Sequence, residues 1–282
     1  MKRACLPLTA AVLLAFLAVA CKSGPKEDPI LRLGAQESLD LGKELLANKK
    51  YERARPYFTH AFEVEPNSVI GRESLLLAAD TYYLQGGSGN YVQAEAKYRD
   101  FLNRFPTSTQ ASYVQFQIAN SLARRMEKPD RDQAGTRKAR ESYEELIRLY
   151  PTSEYAQQAR EQIKLVQANL AEHEFLVGRF YLRYGIPPAA VERFNQMLAA
   201  YPDYPDKAKI YYHLGIAHNK MRNAAEAKSA FDRLRAEAPD SPWVAKIPEV
   251  LDEPAAAEPA PAEPVKTEPA PAEPAPAGAA RS

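Results

Sequence analysis

An alanine, an aromatic residue four positions later and a proline eight positions after that recur five times in this chain of 282 residues. The copies are Ala54/Phe58/Pro66, Ala94/Tyr98/Pro106, Ala139/Tyr143/Pro151, Ala190/Phe194/Pro202 and Ala227/Phe231/Pro239. Residues four apart share one face of an α-helix, so the small residue admits a neighbouring helix closely while the ring fills the space beside it. The proline then stops the helix. A spacing kept five times calls for five copies of one helical unit, and period-two strand patterns are absent between the copies.

Counting back from Ala54 places Leu41 and Gly42 on a preceding helix; the same offsets reach Val177, Gly178 and Tyr181, and Tyr211, Leu214 and Gly215. This large-small pattern resembles the tetratricopeptide repeat, a helix-turn-helix unit of about 34 residues. The expected fold is all-α, a tetratricopeptide-repeat solenoid of five helix pairs. The first repeat should run from about Ala35 to Asn67 with a break near Asn48-Lys49-Lys50, and Pro56 is tolerated in the first turn of its second helix. The second begins near Ile70 and carries Gly86-Gly87-Ser88-Gly89-Asn90 between its helices. No strand precedes that run and no Gly-Lys-Ser/Thr follows it, so it reads as a flexible turn and not a phosphate loop. The third holds a charged insertion, Glu127 to Thr136. Ala156, Ala159, Ile163, Val166 and Leu170 then predict one long helix from a Thr152-Ser153 cap to about Tyr184. Gly185 ends it, Pro187-Pro188 start the next, and Trp243 packs in a terminal cap.

The ends differ from this body. Met1-Lys2-Arg3, a mainly apolar stretch from Ala4 to Ala20 and then Cys21 read as a bacterial export signal, too short for a good spanning helix. Leu17-Ala18-Val19-Ala20-Cys21 resembles a lipobox, which implies a covalent diacylglycerol and N-acyl chain on Cys21 and no other cofactor. Ala18-Val19-Ala20 also satisfies the ordinary signal peptidase, which would leave a soluble chain. Lys22 stands where inner-membrane lipoproteins often carry Asp, which favours the outer membrane. With Cys5 removed and Cys21 the anchor, the mature fold has no cysteine for a disulfide or metal. From Glu253 onward the chain is almost wholly Ala, Pro and Glu and lacks the apolar residues to offset the entropy of ordering, so it should be an extended, disordered tail. The organisation expected is thus 1–20 signal, 21–34 lipidated linker, 35–152 repeats one to three, 153–250 the long helix with repeats four and five and a cap, and 251–282 tail.

Chemistry has few places to reside. The net charge of +1 is scattered over the helices and excludes nucleic acid as a natural partner. His213 and His218 are five apart, off one helical face, and His60 and His173 stand alone, so all four read as ordinary surface or interface residues. Glu172-His173-Glu174 cannot converge on one substrate because adjacent helical residues point apart. There is no Gly-x-Ser-x-Gly elbow, so no enzyme is expected. The tyrosines at 82, 98, 143, 150, 181, 201, 211 and 212 fall mostly at core positions. First-helix positions facing the concave groove include Lys43, Tyr83, Phe116, Arg124, Phe175, Arg179, Arg183, Tyr212 and Asn219, a set suited to an extended peptide or a partner helix.

A more specific resemblance lies in Arg131-Asp132-Gln133, in Tyr150-Pro151-Thr152-Ser153-Glu154-Tyr155-Ala156, and above all in Leu170-Ala171-Glu172-His173-Glu174 through Val177, Phe180-Tyr181 and Arg183-Tyr184-Gly185. With Cys21 and five repeats, these resemble the BamD family, tetratricopeptide lipoproteins of the outer-membrane β-barrel assembly machinery, from about Ile30 to Pro242. The resemblance implies a lipoprotein on the periplasmic face of the outer membrane. Its C-terminal repeats would hold the periplasmic domain of the barrel-inserting subunit near Phe175, Arg179, Arg183 and the helix from Arg193 to Tyr201. Its N-terminal repeats would receive signals of unfolded outer-membrane proteins, and other assembly lipoproteins would be further partners. The rival reading is another periplasmic tetratricopeptide adaptor, a secretin pilotin or a coordinator of division and peptidoglycan synthesis.

Overall fold

A computed structural model describes residues 28–249. The export signal, Cys21, the start of the linker and the Pro/Ala/Glu tail lie outside the described residues. Among the described residues the regular structure is all helical. After a 3₁₀ turn, Pro29–Arg32, come α1 (Ala35–Ala47), α2 (Tyr51–Val64), α3 (Val69–Gln85), α4 (Ser88–Arg104), α5 (Ala111–Ala123) and α6 (Ala134–Leu149). They are followed by α7 (Glu154–Arg183), α8 (Pro187–Ala200), α9 (Lys207–Lys220), α10 (Ala224–Glu237) and a 3₁₀ turn, Val244–Lys246. The chain divides into two compact units, one ending at Leu170 and the other beginning at Ala171.

The five-fold motif explains the second helix of every pair. Ala54, Ala94, Ala139, Ala190 and Ala227 are fully buried, and so are Phe58, Tyr98, Tyr143, Phe194 and Phe231. Each of these helices ends two residues before the motif proline, and the capping residue between them has the same backbone: φ lies between −146° and −129° and ψ between 58° and 68° at Glu65, Phe105, Tyr150, Tyr201 and Ala238. The proline ring clashes with an α-conformation in the residue before it, so one residue type sets the same stop five times.

What each ring meets depends on whether it carries a hydroxyl. The three phenylalanines lie against glycine: a Cβ built on Gly42 would come within 2.6 Å of the Phe58 ring, one on Gly178 within 2.5 Å of Phe194, and one on Gly215 within 2.4 Å of Phe231. The two tyrosines instead reach a polar side chain on the preceding helix, Tyr98 donating to Asp80 at 2.6 Å and Tyr143 to Asn120 at 2.6 Å. Burying such a ring is worth roughly 1.5–3 kcal/mol, so five of them form the backbone of the stability of the repeats.

Two expectations need correction. The glycine-rich turn is only Gly86-Gly87, both at positive φ; Ser88, Gly89 and Asn90 already belong to α4, and the Asn90 amide donates back to the Gly86 carbonyl at 2.8 Å. The insertion of the third repeat spans 124–133, because α6 begins at Ala134. It is organised around buried Gln133, whose amide donates to the Lys128 and Arg131 carbonyls at 2.8 and 3.0 Å while its oxygen accepts from Thr136 at 2.7 Å. Of the histidines, His60 is buried against the Leu33 carbonyl at 3.0 Å, and His213 is buried against the Lys209 carbonyl at 2.7 Å.

The long helix follows its expected course. Ser153 Oγ accepts from the Tyr155 amide at 3.2 Å at its start, and Gly185, at φ 74°, closes its end while the Ile186 amide bonds to the Tyr181 carbonyl at 2.9 Å. Two glycine substitutions should then act in opposite directions. Gly215→Ala forces a methyl into the Phe231 ring and should lower stability by about 1–3 kcal/mol. Gly89→Ala, with nothing within 4 Å, should raise it by up to ~1 kcal/mol. Urea unfolding of both variants checks the pair of signs.

Candidate partner-binding surfaces

In the N-terminal unit, the first helices bring several expected residues together. Lys43 on α1 pairs with Glu73 on α3 at 2.7 Å, both about two-fifths exposed. Tyr83 near the end of α3 has its ring 5.7 Å from Tyr91, and its hydroxyl accepts from Arg124 Nε at 3.5 Å across 41 residues of sequence. Phe116 on α5 packs 6.1 Å from Tyr143 and 5.5 Å from Tyr155. Arg124 also lies close enough to Tyr143 to act on its phenol, so Tyr83, Phe116 and Arg124 gather around one ring.

Beneath this cluster runs a chain of hydrogen bonds that sequence periodicity does not reveal. Tyr143 donates to Asn120, Asn120 to Gln117 at 2.8 Å, Gln117 to Tyr113 at 2.9 Å, and Tyr113 to Asp80 at 2.9 Å. All the donors point one way, and Tyr98 donates to the same Asp80 oxygen. Each bond polarises the next, and the chain ends on a carboxylate able to accept twice. Burial raises the Asp80 pKa above the ordinary carboxylate value, and the two phenols oppose that rise.

In the C-terminal unit the expected residues divide. Phe175 and Asn219 are buried, 3% and 4% exposed, which corrects their assignment to an open groove. The Phe175 ring is enclosed by Phe194 at 5.8 Å, His213 at 5.0 Å and the Lys209 ammonium at 4.5 Å. Lys209 in turn pairs with Glu172, which also accepts from Tyr204, while Glu174 pairs with Arg193 at 3.4 Å. Glu172 and Glu174 thus serve different partners, as adjacent helical directions require. Tyr212 is half-buried against Trp243 at 5.0 Å and His213 at 5.2 Å, forming the terminal cap. Arg179 and Arg183 are half-buried on the last turns of α7.

Beside those arginines lies a surface that the groove template did not single out. Phe180, Tyr184 and Ile186 are 51%, 48% and 47% exposed, and the Phe180 and Tyr184 rings stack with centroids 4.2 Å apart. Two aromatic rings four residues apart, flanked by arginines, make the composition common at the centre of protein interfaces. The signal was legible in Phe180-Tyr181 and Arg183-Tyr184-Gly185, where α7 runs out of a second helix to cover it.

No helix among the described residues is long and apolar enough to cross a membrane, and among them no group of three or more His, Cys, Asp or Glu is placed to hold a metal ion. The sequence model of a family described as YfiO, outer membrane lipoprotein, matches residues 35–234. The chain belongs to this family. Among its relatives, the outer membrane protein assembly factor BamD of Rickettsia prowazekii (strain Madrid E) is 27% identical over 84% of this chain and 92% of its own length. That of Caulobacter vibrioides is 26% identical over 78% and 72%, and that of Pasteurella multocida 27% identical over 77% and 86%. A solved structure of the TPR2AB domain of yeast Sti1 with pHSP90 covers 74% of this chain and 80% of its own at 17% identity and a TM-score of 0.42.

The phenols of the buried chain allow a pH test. Burial above all holds Tyr98, Tyr113 and Tyr143 well above the ordinary tyrosine value of 10.0. The unfolded chain releases those protons near pH 10 while the folded chain keeps them, so their stabilisation is complete below that pH and is lost as pH rises above it. Ultraviolet titration should show exposed phenols ionising first. The buried three should ionise together with loss of helical circular dichroism.

Proposed function

We propose that this chain is a non-enzymatic outer-membrane protein assembly factor, a lipid-anchored scaffold on the periplasmic face that holds other components in register. The observation that carries the reading is the exposed Phe180/Tyr184/Ile186 patch with Arg179 and Arg183 at the end of α7. It is the surface on which the periplasmic domain of a barrel-inserting subunit would dock. Membership of the family and the relatives named as BamD support the assignment of the partner class. An acylated Cys21 would confine the scaffold to the membrane where that partner resides; several acyl chains anchor stably where one does not. Compartments without nucleotide triphosphate give such a protein no fuel, and a scaffold acts there by raising effective concentration.

The N-terminal unit supplies a second kind of surface. Tyr83, Phe116 and Arg124 around Tyr143, with Lys43 further along, would accept an extended, unfolded outer-membrane client through stacking and charge-assisted hydrogen bonds. Other assembly lipoproteins would bind elsewhere on the helices.

Capture of a tagged, detergent-solubilised chain tests the docking reading. Phe180→Ala and Tyr184→Ala together should weaken recovery of a large β-barrel protein with periplasmic repeat domains by more than tenfold, as interface aromatics contribute about 2 kcal/mol each. Leu165→Ala, at a still more exposed apolar position on α7, should leave recovery intact. Undiminished recovery with the double variant, or capture of a secretin in place of a barrel subunit, would contradict the proposal.

A further inference from the structure

We propose that the end of the N-terminal unit bearing the first 3₁₀ turn is a docking surface for the phospholipid membrane that holds the anchor, an inference that rests on the acylation of Cys21 proposed above. Only residues 22–27 separate Cys21 from Asp28. Seven peptide steps span at most ~25 Å whatever their conformation, so Pro29–Arg32 cannot leave the neighbourhood of the lipid surface.

Three aliphatic side chains project into solvent at that end of the unit. Leu31 is 59% exposed, Val64 46% and Val69 70%. They belong together: the Leu33 carbonyl is bonded to His60 at 3.0 Å, one helical turn before Val64, and Val64 and Val69 flank the tight turn in which Ser68 Oγ accepts from the Gly71 amide at 3.0 Å. Next to Val69 opens a groove of about 540 Å³ with Leu76, Phe101 and Phe105 in its walls and Arg72 and Arg104 on its lining. The two guanidiniums lie over aromatic rings, Arg72 5.9 Å from Phe105 and Arg104 5.5 Å from Phe62, and Arg104 also pairs with Asp100 at 2.9 Å. Arg32 is exposed as well, and the acidic groups nearby are exposed Asp28, which caps the 3₁₀ turn, Glu37, Glu63 and Glu65, with Glu73 already held by Lys43.

Aliphatic side chains that project singly, interleaved with arginines, suit the headgroup region, where the aliphatics enter the acyl boundary and the guanidiniums meet phosphate. The helices set the geometry. Leu84, also exposed, lies fifteen residues along α3 from Val69, about 22 Å further from the tethered end. A short tether therefore presents the Val64/Val69 end to lipid and keeps the Leu84 end in water.

The test uses the full acylated chain reconstituted into vesicles of phosphatidylethanolamine and phosphatidylglycerol containing acyl-brominated lipid. A fluorophore is attached through Asn67→Cys or, at the opposite end, Gln93→Cys, and the mass of the N-terminal peptide is read on the same sample. With Cys21 acylated, the label at position 67 should be strongly quenched and that at 93 not above background. Val64→Glu with Val69→Glu should abolish the quenching while helical circular dichroism and acylation stay unchanged. Equal quenching at both positions, or none at 67 on an acylated chain, would overturn the docking surface and leave the anchor standing. An unmodified Cys21 would overturn both, and the peptide mass shows which of the two failed.

Discussion

Every pair of helices in this protein depends on one contact, an aromatic ring on the second helix seated in a gap on the first. Where the ring is phenylalanine the gap is a glycine, at Gly42, Gly178 and Gly215. Where the ring is tyrosine, a carboxylate or amide on the preceding helix receives the hydroxyl, at Asp80 and Asn120. The two solutions are not interchangeable. A phenol directed at an apolar wall would bury an unsatisfied donor at a cost of about 1–3 kcal/mol, and a phenylalanine facing Asp80 would take away one of the two hydroxyls its carboxylate accepts from. The ring therefore dictates its partner on the preceding helix, although the two are never adjacent in sequence.

This constraint also determines which surfaces are available to partners. The rings and their small neighbours consume the second helices, which is why binding capacity falls to the first helices and to the places where a repeat ends. Tyr83, Phe116 and Arg124 are of the former kind. Phe180, Tyr184 and Ile186 are of the latter: Gly185 stops α7 in a left-handed turn, and the two stacked rings before it are left half in solvent. Leu31, Val64 and Val69 form a further exposed edge, beside the first 3₁₀ turn where the described residues begin.

The repeat, the length of α7, its glycine stop and the breaks between pairs were all legible in the sequence because each is written in local spacing. The tertiary details that were not legible have no period. Gln133 organises its insertion through carbonyls two and five residues away, and nothing in its neighbours marks it as buried. The chain from Tyr143 to Asp80 joins three helices, and the Lys209–Glu172 pair bridges 37 residues. The template also assigned Phe175 and Asn219 to an open groove, since it fixes which helix a residue lies on but not how closely the next helix approaches. In the C-terminal unit α9 brings Lys209 and His213 over Phe175, and the position closes.

The dependence of the fold on ring and gap is best tested by a double-mutant cycle in the last repeat, Gly215→Ala and Phe231→Leu singly and together, with stability read from urea unfolding. If the ring and the glycine form one contact, the methyl that Gly215→Ala introduces should be tolerated once Phe231 is reduced to leucine. The coupling should then amount to at least ~1 kcal/mol. Additive losses would mean that the glycine is required for some other reason and would contradict the account.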